Sequence, residues 1–529
     1  MTLVVNNPPA TRGRGGGSSS TLSLRRLPVV PRLSSSSSFT TTAVTAVLAA
    51  SFIPMASGHD HHEDQIPEGA TVSVDPLDTT LWLHIFLQTF VFGILFPTGM
   101  VLGIIKSRWH VPLQVLATAL ALLGYALGHL HKGRQFISNN VHASFANILF
   151  LMMIIQVALG VYLKLHLEKG FHGRIRPLFR ILHSINGKAF PIASWVQMLF
   201  GGITALGFCQ GDHLGQCLAH FIMGSAFIAY GVLLTIVLLV GQLWLRRTGR
   251  SQEFFDSAVI AAWGCVNTFT EHRWGTAWVR NDWQHTTMGV IWWAAGLAGV
   301  WLSKNRDGTP KRNFIPGFVL LITGWAMSAH PQELMISAMT HKMFGYTLMG
   351  AGVTRIIEIA FILGDRPAVS ERGFETHSFQ YVPVFLLYAS GFLFMSATEE
   401  QMALVAGSGI DHVAYVLIIY SLAFILFLFV NILIHLYDRT ANADTLNKSA
   451  VTNGNGNGSI RLNGHAGGSR TATAGNANAD AHLRDAGEFE LEGLMSEDED
   501  DDDVASRRNL LKGEREGGGI ASPGAAARR

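Results

Sequence analysis

Charge is scarce in this chain. Of its 529 residues 14% are charged and 49% hydrophobic, and the hydrophobic ones gather into runs of about 20, the length that crosses a bilayer. A soluble globular protein is excluded by that distribution. The 39 basic against 37 acidic side chains leave a formal net charge of +2, so electrostatics gives no case for nucleic-acid binding. Cysteine is rarer still: Cys209, Cys217 and Cys265 allow at most one disulfide. Acidic residues are missing from residues 1–40, which are rich in Ser, Gly, Pro and Arg.

What is present is an all-α, polytopic membrane pattern of about eleven spans. The first five are Leu81 to Ile105, Val111 to Leu130, Val141 to Leu163, His183 to Phe208 and Leu218 to Leu245. Six more follow: Phe254 to Thr270, His285 to Leu302, Phe314 to Ala329, Met339 to Leu363, Phe379 to Ala397 and Ile410 to Leu436. Ahead of them, Thr40 to Pro54 is a short apolar stretch preceded by Arg25, Arg26 and Arg32 and followed by small residues. It reads as a secretory signal, with an uncleaved anchor or an organelle transit peptide as the alternatives. If the chain then starts outside, the odd loops face the cytoplasm, and they carry the basic residues. Lys106 and Arg108, then Lys164 to Arg180, then Arg246, Arg247 and Arg250 follow the odd spans, and Lys304 to Arg312, Arg366 and Arg372 continue the series. Cys209 and Cys217 share an outer loop, where an oxidising compartment lets them pair.

These features divide the chain into a signal-like, low-complexity leader (1–58), a His/Asp-rich outer segment (59–78), a first transmembrane domain (79–250), a second (251–438) and a tail (439–529). The first domain reads as a four-helix bundle plus a linking helix, and the second as six helices. The tail, with its Asn-Gly repeats and acidic run Glu497 to Asp503, is expected to be disordered and cytoplasmic. The membrane is expected to be the plasma membrane or a secretory endomembrane.

Four histidines carry the chemistry of the first domain. His84 and His142 enter from the outer side and His110 and His183 from the inner side, on alternate helices of an up-down bundle. Imidazole is costly in a bilayer and turns to the bundle interior, and two facing imidazoles are what a haem iron takes as axial ligands. Gly93, Gly99, Gly124, Gly128, Gly160 and Gly187 leave room for a flat macrocycle. Simple interfacial histidines are the bland alternative. The run from His84 through Pro97-Thr98-Gly99, Arg108-Trp109-His110 and Leu113-Gln114, then His142 with Leu151, Gln156 and Gly160, then His183 with Asn186-Gly187-Lys188, resembles the cytochrome b-561 family. The resemblance implies two b haems, an outer one on His84 and His142 and an inner one on His110 and His183, with electron transfer across the membrane.

In the second domain the topology brings His272, His285, His330 and His341 to the outer face beside Glu271 and Glu333. Imidazoles with carboxylates suit copper, iron or zinc, and Met288, Met339 and Met343 add soft donors. Hydrogen bonds that merely tie helix ends together are the alternative. The leader segment His59-Asp60-His61-His62-Glu63-Asp64 offers a weak metal-capturing arm. With Gln284-His285-Thr286 and the histidine motifs downstream, residues 75–440 resemble the fungal Ytp family of membrane proteins. The expectation is therefore a lipid-embedded electron carrier, a possible oxidoreductase, serving a small-molecule donor and acceptor or an outer metal ion. Its rivals are a metal-binding or transport protein without haem, and a scaffold without a cofactor.

Overall fold

The computed structural model describes residues 66–453 apart from 68, 168, 273–274 and 365–375. The leader, the His59 to Asp64 arm, Arg366, Arg372 and the tail from 454 lie outside those residues. Among the described residues the chain is helical, and its only β pairings are two isolated bridges, Val72 with Phe136 and Lys304 with Pro310.

Helix α1 runs Thr79–Ile104 with a π turn at Val91–Leu95, and α2 spans His110–Leu130. Asp78 caps α1 by accepting from the Leu81 N–H at 3.0 Å. Asn140 caps α3 (Val141–Lys164) in the same way. Helix α4 (Phe171–Leu206) is long because its first turns precede the apolar stretch, and it stops where Gly207 takes φ +72°, a conformation that glycine adopts without strain. Helices α1 and α2 pack as one antiparallel pair, α3 and α4 as another. Val91, Phe96, Ala117, Ala121, Leu149, Met153 and Phe190 form the core between them.

Helix α5 (Leu214–Leu239) and the short α6 (Gln242–Thr248) lead to α7 (Gln252–Thr270), α8 (Arg280–Leu302), α9 (Ile315–Ser328) and α10 (Met335–Ile357). Helix α11 (Tyr381–Met395), the outlying α12 (Glu399–Ser408) and α13 (His412–Asn453) complete the series. The sequence-predicted linking helix α5 lies along α11, so it belongs spatially with the second group. Helix α13 packs on α11, α5 and α1.

Among the described residues eight helices are long and apolar enough to cross a membrane, and α9 is a shorter apolar helix. The remaining two of the eleven expected spans exist as α7 and α8, whose apolar character is diluted by Glu253, Asp256 and Asn267 on the first and Arg280 and Asp282 on the second. The tail was expected to lose structure after Asp438, yet α13 continues to Asn453. Residues 440–450 contain Ala, Leu and Lys and no Gly or Pro, so nothing in them stops a helix.

Candidate functional site

Each of the four bundle histidines meets its partner from the opposite helix pair. The His84 and His142 rings lie 6.1 Å apart at an interplanar angle of 90°, and those of His110 and His183 lie 6.4 Å apart at 87°. The two pairs occupy opposite ends of the bundle. His84 Nδ1–H donates to the Gly124 carbonyl and His110 Nδ1–H to the Gly99 carbonyl, both at 2.7 Å. A carbonyl only accepts, so these bonds fix the tautomer and leave Nε2 with its lone pair. His142 is held by Gln197, whose side-chain amide lies 2.9 Å from Nδ1 and donates to the His142 carbonyl at 3.0 Å. Gln156 donates to the His183 carbonyl at 3.1 Å and accepts from the Asn186 amide at 2.8 Å.

Glycines make this approach possible. A β-carbon at Gly128 would come within 2.7 Å of the His84 ring, and one at Gly103 within 2.9 Å of His110. At Gly201 and Gly160 the corresponding distances to His142 and His183 are 3.2 and 3.3 Å. These contacts expose a repeat in the chain. On α2, α3 and α4 a glycine follows the histidine by 18 residues (110 to 128, 142 to 160, 183 to 201). On α1 the interval is 19 (84 to 103), and the π turn at Val91–Leu95 absorbs the additional residue. Each histidine thus packs on the distal glycine of its antiparallel neighbour. Gln88, Gln114, Gln156 and Gln197 supply one glutamine per helix. Gln114 and Gln156 stand in the motifs read from the sequence; Gln88 and Gln197 were missed, although Gln88 follows His84 by four residues as Gln114 follows His110, and Gln197 follows His183 by 14 as Gln156 follows His142.

Three polar atoms inside the bundle are buried without a hydrogen-bond partner: Gln88 Oε1, Gln197 Oε1 and His183 Nδ1. Leaving such atoms unpaired costs about 1–3 kcal/mol each. Each such atom calls for a partner, an ordered water or a bound group.

The second group holds its histidines differently. His272 stacks on Trp278 at 4.0 Å and its Nδ1 meets Asp282 at 2.9 Å. His285 pairs with Glu271 at 3.2 Å. Its ring stacks on His330 at 5.5 Å, and the His330 ring lies 6.3 Å from that of His341. Glu333 is exposed in its loop and contributes nothing to this row. A residue absent from the sequence reading extends it: His220 on α5 lies 6.1 Å from His341. Nearby, Cys209 and Cys217 form a disulfide, and the Cys209 N–H donates to Glu400 at 2.8 Å.

At the opposite end, α7, α10 and the loop before α9 bury an ionic network. Arg355 donates to Glu253 at 2.9 Å and to Glu358 at 2.7 Å, with Arg312 3.6 Å from Glu253. Tyr230 donates to Asp256, and Gln380 to Glu358 at 3.1 Å. Glu253 is fully buried.

Residues 193–438, which carry the imidazole row and the ionic network, match the family described as Protein YTP1-like, C-terminal. Residues 64–166, with three of the four bundle histidines, match a domain of unknown function, DUF2427. Protein YTP1 of Saccharomyces cerevisiae is 48% identical over 237 residues, 45% of this chain and 50% of that protein. The C-terminal half of the chain, residues 193–438, belongs to the Ytp family of membrane proteins. The matched segment spans half the length of that yeast relative. Two further relatives are uncharacterized membrane proteins. One, from Schizosaccharomyces pombe, is 21% identical over 398 residues, 52% of this chain and 78% of that protein. The other, from S. cerevisiae, is 23% identical over 252 residues, 37% and 39% respectively. No solved structure matches this Ytp-family chain. The Ytp-type match begins at residue 193, inside α4, and so takes in α5, in keeping with the packing of α5 on α11.

Proposed function

We propose that this protein carries electrons across a membrane, with His84 and His142 as the axial ligands of one b haem and His110 and His183 as those of a second. The observation that carries the proposal is the ring separation in the two pairs, 6.1 and 6.4 Å. A metal–imidazole bond of about 2 Å plus roughly 1 Å from nitrogen to ring centre, on each side, gives about 6 Å between centroids. The Nδ1–H bonds of His84 and His110 direct their free nitrogens away from those carbonyls. The glycines keep side-chain bulk away from the rings, and the unpaired Gln88 and Gln197 oxygens provide polar atoms in an otherwise apolar interior.

A b haem held by each of these histidine pairs would supply single-electron exchange. The chain's own task is to hold four imidazoles in place, exclude water and fix the distance. His110 and Gly128, where the two pairs touch α2, are 18 residues apart, about 27 Å of helix, so the pairs sit at opposite faces of a hydrocarbon layer about 30 Å thick. The Cys209–Cys217 disulfide supports placing the His84/His142 end outside, in an oxidising compartment. A small-molecule donor on the inside and a small molecule or metal ion on the outside complete the reading.

The test is the reduced-minus-oxidised optical spectrum of detergent-purified full-length protein, with haem quantified per chain. Two low-spin b haems are expected, falling to one in His142→Ala with the inner signal intact. Well-folded protein without haem overturns the proposal.

A further inference from the structure

We propose that His220 and His341, with His330 as a third donor, form a copper-binding site in the second group of helices. His220 and His341 are a third imidazole pair with the geometry of the other two: ring centres 6.1 Å apart and planes at 79°. In each ring Nδ1–H is tied to the carbonyl four residues earlier, Gln216 at 2.8 Å and Ser337 at 2.9 Å. Nε2 is thereby left as the free donor in both. His220 Nε2 is buried without a partner, and so is His330 Nε2. The His220 ring is pinned flat against Phe394 at 4.6 Å and 10°, which fixes its orientation before any ion arrives. The His330 ring runs nearly parallel to that of His341, at 23°. It therefore joins by a side-chain turn, and the pair forms the core of the site.

The surroundings select the ligand. Phe227, Phe344 and Phe394 crowd this region, with the Phe344 and Phe394 rings 4.8 Å apart and Phe227 within 6.2 and 6.5 Å of them. Those rings take up the space a macrocycle would need, so the site fits a bare ion. Neither carboxylate that was expected to join faces these rings: Glu271 holds His285 and Glu333 is exposed, while Asp282 holds His272. The donors are therefore neutral imidazoles in an apolar setting. A doubly charged zinc ion would lack compensation there, whereas singly charged Cu(I) accepts two or three neutral nitrogen donors with less desolvation cost. The ligand set thus keeps His330 and His341 of the grouping that the sequence suggested, adds His220, and leaves out His272, His285, Glu271 and Glu333. It does not require haem in the bundle.

The experiment loads chelator-stripped full-length protein with Cu(I) anaerobically, or with Zn(II), and measures retained metal per chain against a competing chelator. Copper is expected to be retained, and to be held at least about tenfold more weakly in His220→Gln and His341→Gln. His272→Gln and the haem-ligand variant His142→Ala should hold it unchanged, which separates this result from the fate of the haem proposal. Undiminished copper in both His220→Gln and His341→Gln, equal loss in His272→Gln, or retention of zinc alone overturns the site. Should the glutamine variants fail to fold, X-ray absorption of the copper-loaded wild type decides: two or three nitrogen neighbours at about 2 Å support it, and sulfur ligation overturns it.

Discussion

Arg355 shows what single residues contribute. It is 8% exposed and bridges Glu253, at 0%, and Glu358, at 2%. Removing one partner from a buried pair strands the other charge, at a cost of about 3–5 kcal/mol. Arg355→Met should therefore lower the thermal midpoint sharply, whereas Met in place of the exposed Arg108 should leave it unchanged; equal midpoints would show that the network does not support the fold. Gly128→Leu acts through a different force, because its side chain would collide with the His84 ring. It should remove the spectral signal of the His84/His142 pair and spare that of His110/His183. The ionic network was hard to read from sequence because Glu253 falls one residue before the apolar run begins and Arg312 lies in a loop. Only the fold brings them to α10.

Element geometry explains why the bundle was legible. Alternating helix direction alone sends His84 and His142 to one end and His110 and His183 to the other, so knowing the spans was enough to pair them. The imidazole row of the second group was less legible. Topology gathers helix ends at one face but does not say which way a ring turns, so His272 faces Asp282 and Trp278 while His220, a turn and a half inside α5, completes the row. The π turn in α1 yields a sharper expectation. Deleting one residue from a membrane helix ordinarily rotates everything beyond it by about 100°, but deleting Gly93 should convert Val91–Leu95 to regular α-helix and restore the 18-residue interval of the other three helices. Both histidine-pair signals should survive the deletion, whereas deleting Leu120 from the regular α2 should abolish them. The start of α1 has its own pH signature. Asp78 accepts from the backbone N–H groups of Lys132 and Leu81, which hold its carboxyl below the ordinary range. A depressed carboxylate stabilises above its unfolded pKa, about 3.9, and loses that contribution as pH falls through the folded value. The advantage of wild type over Asp78→Asn in thermal midpoint should accordingly be full at neutral pH and vanish in acid.

At the scale of the whole molecule, two groups of helices meet along a narrow seam. Trp195 on α4 donates from its indole N–H to Ser225 on α5 at 3.0 Å and packs edge-on against Phe392 of α11 at 6.2 Å. Each group has its own apolar core: the bundle core lies between α1 and α4, and the second is built around Met288, Phe344, Leu348, Leu393 and Phe394. The histidine pairs of the bundle draw every ring, anchor and glycine from α1 to α4, so their integrity depends on the seam only through overall stability. Trp195→Ala truncates a half-buried aromatic side chain and should cost about 2 kcal/mol, below the full 3–5 kcal/mol of a buried site. The two spectral signals should keep their intensity at low temperature while the thermal midpoint falls. Selective loss of the outer signal at low temperature would instead mean that the second group positions α4, and with it Gln197 and Gly201 behind His142, making the electron path a property of both groups together.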